Sequence, residues 1–231
     1  MTYVRADGTL RGSGGGSSIS APSEPTADGA LIYLKGQGGK GAGITIADSS
    51  GNGHNATATT TVKQILPHPI EGKVFSRITG AIPTFPDTGE VLNTEASLEL
   101  LVGPNLASGG VYFGQDGTHD LLGLNFSAKA VQVHLAAASW TTVTDFDYNE
   151  RALFHVVRTD SGAQSIWKLY CNGKLIYTSA ATTRLAAGTA GRIIFTNTNL
   201  EWSHLRLWNS ARTEEQIQAA ARLFNPLWGV A

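Results

Sequence analysis

One cysteine, Cys171, stands in a chain of 231 residues. No intramolecular disulfide can form, and no cysteine cage can hold zinc. Cys171 sits in an apolar run before a turn, where a small buried thiol is inert rather than nucleophilic. Charge is also sparse. Seventeen Lys and Arg against 18 Asp and Glu leave a net charge of −1, and only 15% of residues are charged. This balance gives no electrostatic pull towards nucleic acid or an anionic membrane. So little charge suits a protein that buries part of its exterior against others. No apolar run approaches the roughly 18 residues of a membrane helix. Met1-Thr2-Tyr3-Val4-Arg5-Ala6-Asp7 has no signal-peptide core, so synthesis in a cytoplasm is expected. Histidines 54, 68, 119, 134, 155 and 204 show no His-x-x-x-His spacing for zinc. No Gly-x-Ser-x-Gly elbow occurs, and Gly36-Gln37-Gly38-Gly39-Lys40-Gly41 lacks the Walker spacing and its helix.

What is present is short alternating runs. Val131, Val133 and Leu135 alternate with Gln132 and His134, the pattern of a strand with one wet face. Leu98, Leu100 and Val102 repeat that parity, as do Leu122, Leu124 and Phe126. Further strands are expected over 30–35, 111–113, 153–159, 166–171, 175–178, 192–196 and 202–208. Gly109-Gly110, Asp116-Gly117, Asp160-Ser161-Gly162 and Asn172-Gly173 punctuate them. Many short strands with frequent turns mean a sandwich or barrel. Asn172-Gly173 is the sharpest signal, because a type I′ hairpin needs φ > 0 at both central residues.

The two ends differ from this body. Residues 1–28 interleave Gly12, Gly14, Gly15 and Gly16 with Ser13, Ser17 and Ser18. Such a stretch buries too little apolar surface to offset its ordering entropy, so it reads as a flexible arm. Tyr3, Val4, Leu10 and Ile19 are its candidate docking anchors. Near the other end Thr213 and Gln216 have capping-box spacing, and Ile217, Ala220, Ala221 and Phe224 form one apolar stripe. Asn225-Pro226 should stop this helix, since the residue before a proline avoids the α region. The body is then residues 29–224, with 225–231 as a short tail.

Three segments carry a family resemblance. Asp48-Ser49-Ser50-Gly51-Asn52-Gly53-His54-Asn55-Ala56-Thr57 resembles the turn after the first strand of laminin-G-like, concanavalin A-like jelly rolls. Phe154–Thr159, followed by Trp167–Ile176, resembles the family's His-bearing strand and Asn-Gly-Lys hairpin. Leu205-Arg206-Leu207-Trp208-Asn209, with Ser210 to Ile217, resembles its closing strand and helix. The resemblance implies an all-β fold, a concanavalin A-like jelly-roll β-sandwich of two antiparallel sheets with one short C-terminal helix. Phe224-Asn225-Pro226-Leu227-Trp228 resembles endings of such domains in tailed-bacteriophage genomes. That implies a non-enzymatic virion protein, a head decoration or tail component. Its partners would be capsid or tail subunits and further copies of itself.

Candidate sites follow. Asp145-Phe146-Asp147-Tyr148-Asn149-Glu150 resembles the paired-carboxylate motif of retaining glucanases, which need two carboxylates about 5–5.5 Å apart. Asp145 is a methylene short of the family's Glu, and the segment falls where a turn is expected. It therefore reads as a solvated loop, with no catalytic residues assigned; a glycoside hydrolase using Asp145 and Glu150 is the third functional reading. The second is a carbohydrate-binding module recognising cell-surface glycan through loops bearing Trp140, Asp116 and His119, with packing of Trp140 at a sandwich edge or subunit contact as the alternative to stacking on a sugar. Asp48 and Asn52 are calcium candidates, although hard cations want six to eight oxygens and Asp48 is expected to cap its own turn. No other cofactor is expected. His155 should sit satisfied in a strand, and Trp202 and Trp208, of equal parity, should support the terminal helix.

Overall fold

The computed structural model describes residues 3–4, 9–11, 19–20, 26–35, 44–58, 62–67, 74–78, 83–84, 95–106, 109–114, 120–127, 130–134, 140–144, 152–183, 192–196 and 200–228. Its strands begin with β1 (Tyr3–Val4), β2 (Thr9–Arg11), β3 (Ile19–Ser20), β4 (Ile32–Lys35), β5 (Ile44–Ile46), β6 (Ala56–Ala58) and β7 (Val62–Pro67). Next come β8 (Val74–Ile78), β9 (Pro83–Thr84), β10 (Ala96–Leu106), β11 (Gly109–Gly114), β12 (Asp120–Ser127), β13 (Ala130–His134) and β14 (Trp140–Val143). The series closes with β15 (Ala152–Ser161), β16 (Gln164–Cys171), β17 (Lys174–Thr178), β18 (Thr182–Thr183), β19 (Arg192–Thr196), β20 (Leu200–Trp208) and helix α1 (Glu214–Trp228).

Two antiparallel sheets form the sandwich. One runs β17-β16-β15-β10-β20-β8-β7, with β18 beside β16 and β4 beside β20. The other runs β14-β13-β12-β11-β19-β9-β6-β5. The core between them takes alternate residues from both, among them Leu98, Leu100, Phe154 and Val156 from the first and Leu124, Phe126, Val131 and Val133 from the second. Each such side chain contributes about 1.5–3 kcal/mol on burial. The fold is an all-β sandwich.

Several local features explain the register. Asn172 and Gly173 have φ of 51° and 83°, the paired positive values of a type I′ turn. Asn172 also joins β15: its N–H donates to Leu153 O at 2.9 Å, and its Oδ1 accepts the Leu153 N–H at 2.9 Å. A Cβ on Gly173 would lie 3.0 Å from Ala221 Cβ, so the hairpin tip seats the helix closely. In β20 the pairing shifts from Leu101↔His204 to Val102↔Trp202, leaving Ser203 as the extra residue of a bulge. The bulge inverts parity. Trp202 consequently joins the core between the sheets, whereas Trp208 packs outside with Ala30 and Tyr33. The two tryptophans do not share a face, and neither belongs to the apolar clusters that include helix residues.

The helix starts as its capping box requires. Gln216 N–H donates to Thr213 Oγ1 at 3.3 Å and Thr213 N–H to Gln216 Oε1 at 2.9 Å. Ala220, Ala221 and Phe224 cover Leu101 and Leu153, and Ile217 packs with Val157 and Tyr170. Asn225-Pro226 do not end it, for the helix continues to Trp228. Pro226 falls in the last turn, where its missing N–H removes a single i→i−4 bond from a helix already anchored by packing. At the other end, β1, β2 and β3 form a separate three-stranded sheet within the stretch read as a flexible arm. Contact with the sandwich begins before residue 29: Thr26 O accepts Arg206 Nη1–H at 2.9 Å and Asp28 O accepts Trp208 Nε1–H at 3.0 Å. Residues 26–30 are thus a strap across the first sheet.

Candidate functional site

Beneath that strap and α1, the outer face of the first sheet carries charge. Glu99 lies between core residues Leu98 and Leu100, on the face opposite them. Its Oε1 accepts Arg206 Nε–H at 2.6 Å and meets His204 Nε2 at 2.7 Å. Its Oε2 accepts Arg206 Nη2–H at 2.9 Å and meets His155 Nε2 at 2.5 Å. All four side chains are buried. Burial would raise the Glu99 carboxyl, but the Arg206 charge and the two imidazoles outweigh it and hold it well below the ordinary carboxylate range. Burial pushes His204 down to about 4, against the Glu99 bond. The His204 ring packs edge-on to Tyr33 and Phe224, with centroids 4.8 and 4.4 Å away. The Arg206 guanidinium lies 4.9 Å over the Trp208 ring. His155 lies in its strand but is only half satisfied: Nε2 meets a carboxylate that the alternating pattern alone would assign to a wet face, whereas Nδ1 is buried without a hydrogen-bond partner among the described residues. Both oxygens of Glu99 are engaged within the cluster.

Asp48 is the hub of its turn. Oδ1 accepts the N–H groups of Tyr33 and Ser50, both at 2.9 Å. Oδ2 accepts the Ser50 hydroxyl at 2.6 Å and the His54 N–H at 3.0 Å. Burial raises this carboxyl, yet the four donors lower it overall. Asn52 Nδ2–H donates to Leu31 O at 2.9 Å, tying the turn to the lead-in of β4. Gly51 and Gly53, with φ of 92° and 81°, adopt the left-handed backbone the turn needs. The oxygens of Asp48 are thus bonded to the turn itself and to β4. Among the described residues no group of three or more His, Cys, Asp or Glu is arranged to hold a metal ion.

On the second sheet the alternation meets water. Leu124, Phe126, Val131, Val133 and Val143 are buried in the core, so Asn125, Gln132 and Thr142 stand on the outer face. The register sets the three side by side, Asn125↔Gln132 and Gln132↔Thr142. Asn125 Nδ2–H donates to Gln132 Oε1 at 2.7 Å, and Gln132 Nε2–H to Thr142 Oγ1 at 3.3 Å. This ladder uses one N–H of each amide. A second N–H on each and Asn125 Oδ1 stay outside it. Thr142 is exposed and the two amides half-buried. An uncharged row of donors and acceptors can exchange hydrogen bonds with hydroxyl groups.

Trp140 belongs to this face. It opens β14 opposite His134, two residues from Thr142, and strand periodicity gives positions 140 and 142 the same side. Asp116 and His119 lie outside the described residues, as do Asp145 and Glu150. Tyr3, Val4, Leu10 and Ile19 occupy β1, β2 and β3. The sequence reading missed Asn125 as a site residue and passed over Gln132, although both stand between core residues of neighbouring strands. It also missed Glu99, His204 and Arg206. An isolated Glu inside Leu98-Glu99-Leu100-Leu101-Val102 and a His and Arg two apart in the closing strand were the available signal.

No family model and no curated protein matches the chain. Solved structures do. Trypanosoma rangeli sialidase, in complex with a difluoro-KDN compound, superposes with a TM-score of 0.60 at 15% identity, covering 95% of this chain and 36% of that one. The botulinum neurotoxin type G receptor binding domain gives 0.56 at 12%, covering 84% and 51%. A structure of botulinum neurotoxin type C, which enters cells dependent upon interaction with two ganglioside molecules, gives 0.59 at 13%, covering 85% and 51%. The chain is a β-sandwich of that kind. It spans about a third of the sialidase chain and half of the toxin chains. The expectation of a non-enzyme is overturned here, because chains carrying this fold include sialidases.

Proposed function

We propose that this chain is a glycan-binding module that works through the outer face of its eight-stranded sheet. The observation that carries this reading is the uncharged Asn125–Gln132–Thr142 ladder on the face of position 140. An indole gives an apolar, polarisable surface for a sugar ring, while amides and hydroxyls meet its polar edge. Fold neighbours that include a sialidase in complex with sialic acid and a ganglioside-dependent toxin support it. A glycan array tests it, with the wild-type chain and Trp140→Ala side by side. Wild-type signals above background that fall about tenfold or more in the variant, as for an aromatic hot spot, agree with the reading. An array without a single binder contradicts it.

A virion location is a second reading, resting on the resemblance of Phe224-Asn225-Pro226-Leu227-Trp228 to phage endings. The two are compatible, since a tail or fibre protein meets host-surface glycans. Partners would then be neighbouring capsid or tail subunits, with β1–β3 as the docking element and contacts between copies of the chain. Particle proteomics tests this location: the chain recovered at fixed stoichiometry in purified virions supports it, and its absence there contradicts it.

A further inference from the structure

The backbone of the same face singles out one spot. Position 112 of β11 pairs with Gly123 on one side and Ile194 on the other. Its same-face neighbours along β11 are Gly110 and Gly114. Three of the four adjoining positions are therefore glycine. Glycine inside a strand weakens it and leaves nothing to pack, and it recurs where a ligand approaches the backbone closely. A bulge adjoins the spot: Phe113↔Leu122 is followed by Gly114↔Asp120, leaving Leu121 as the extra residue. Bulges gather beside binding sites, where they redirect a strand. Asn125, paired with Gly110, stands diagonally across from position 112. The rung itself continues through Gly123 to His134 and Trp140.

Resting on the glycan-binding reading, we propose that the clearing bounded by Gly110, Gly114 and Gly123 around Tyr112 is a saccharide subsite. A linear, uncharged oligosaccharide lies across β11 to β14, from Tyr112 to Trp140. Neighbouring strands are about 4.8 Å apart, so these positions, three strands apart, are separated by about 14 Å. One sugar ring cannot cover that span, whereas a short oligosaccharide can. The described side chains along the path, Asn125, Gln132 and Thr142, are amides and a hydroxyl. That chemistry complements neutral hydroxyls, and Arg192, paired with Gly114 on β19, borders the clearing on the side away from the path to Trp140.

Calorimetric titration of the full chain tests this. The probes are neutral linear gluco-, xylo-, manno- and galacto-oligosaccharides of one to six rings, with sialyllactose as the charged comparison. Affinity should rise about tenfold or more between one ring and three, and sialyllactose should bind more weakly. Gly123→Val fills the clearing with a residue that strands favour, so it should keep its melting temperature and lose about tenfold in affinity. Gln132→Ala, on a solvent-facing rung, is the second variant and should lose a similar factor. Binding that Trp140→Ala abolishes but both other variants leave intact overturns the subsite while keeping the glycan-binding function. Tighter binding of sialyllactose overturns the uncharged ligand. No binding of any probe overturns subsite and function together.

Discussion

On the nine-stranded sheet, the residues between core positions include four ionisable and buried side chains: Glu99, His155, His204 and Arg206 lie under α1 and the strap. On the eight-stranded sheet their counterparts Asn125, Gln132 and Thr142 are uncharged and reach solvent. The two faces solve different problems. A charged group removed from water must be paired and hydrogen-bonded, and once the pairing is complete it has little left for a ligand. An uncharged amide at the surface loses little by making one internal bond and retains capacity for another. The charged constellation, which looks more like an active centre, is therefore a clasp for the helix, and the plainer face is the one on which the proposed glycan site rests.

The largest expected effect breaks the clasp. Glu99→Ala leaves a guanidinium buried without its carboxylate, and losing one partner of a buried pair costs about 3–5 kcal/mol. Urea denaturation measures this, and a loss below about 1 kcal/mol would mean that the cluster does not secure the covered face. Acid should weaken the same place. Burial holds His204 down to about 4, while an unfolded histidine titrates near 6.5. The unfolded chain therefore takes that proton first, and stability falls as pH drops below about 6.5. Glu99, held below its ordinary range, adds to the loss as pH falls further. Melting temperatures from pH 7 to pH 4 should decline in the wild type, and less steeply in His204→Gln.

A smaller effect comes from the hairpin against the helix. Gly173→Ala combines a left-handed backbone with a Cβ 3.0 Å from Ala221 Cβ, a cost of about 1–2 kcal/mol. Thr213→Ala removes half of the capping box and should cost about 1 kcal/mol. Smallest of all is Gln132→Ala, whose stability should stay within about 0.5 kcal/mol of wild type while glycan affinity drops. Equal losses of stability from Gln132→Ala and Glu99→Ala would erase the distinction between the faces.

Much of the sandwich was legible from local chemistry. Asn172-Gly173, the Asp48 turn and the Thr213 cap each specify their geometry within a few residues, so their residue types suffice. Strand alternation separated core from outer positions in β10, β12 and β13. It could not say whether an outer position is wet, because cover by α1 and residues 26–30 depends on contacts between distant segments. Glu99 and Gln132 look equivalent in sequence for that reason. The bulge at Ser203 likewise inverts Trp202 without a local signal. Trp140 was legible as a glycan candidate from its residue type, but it was expected on a loop and opens β14 instead, and its relation to Asn125 and Gly123 exists only in the register of three strands.

Amide shift mapping by NMR separates the two faces, with isotope-labelled chain titrated with neutral linear oligosaccharides. Perturbations should concentrate on β11 to β14, around Gly123, Asn125, Gln132 and Trp140, with Glu99, His155, His204 and Arg206 unmoved. Perturbations centred on the Glu99 cluster and α1, with the eight-stranded sheet silent, would contradict that expectation.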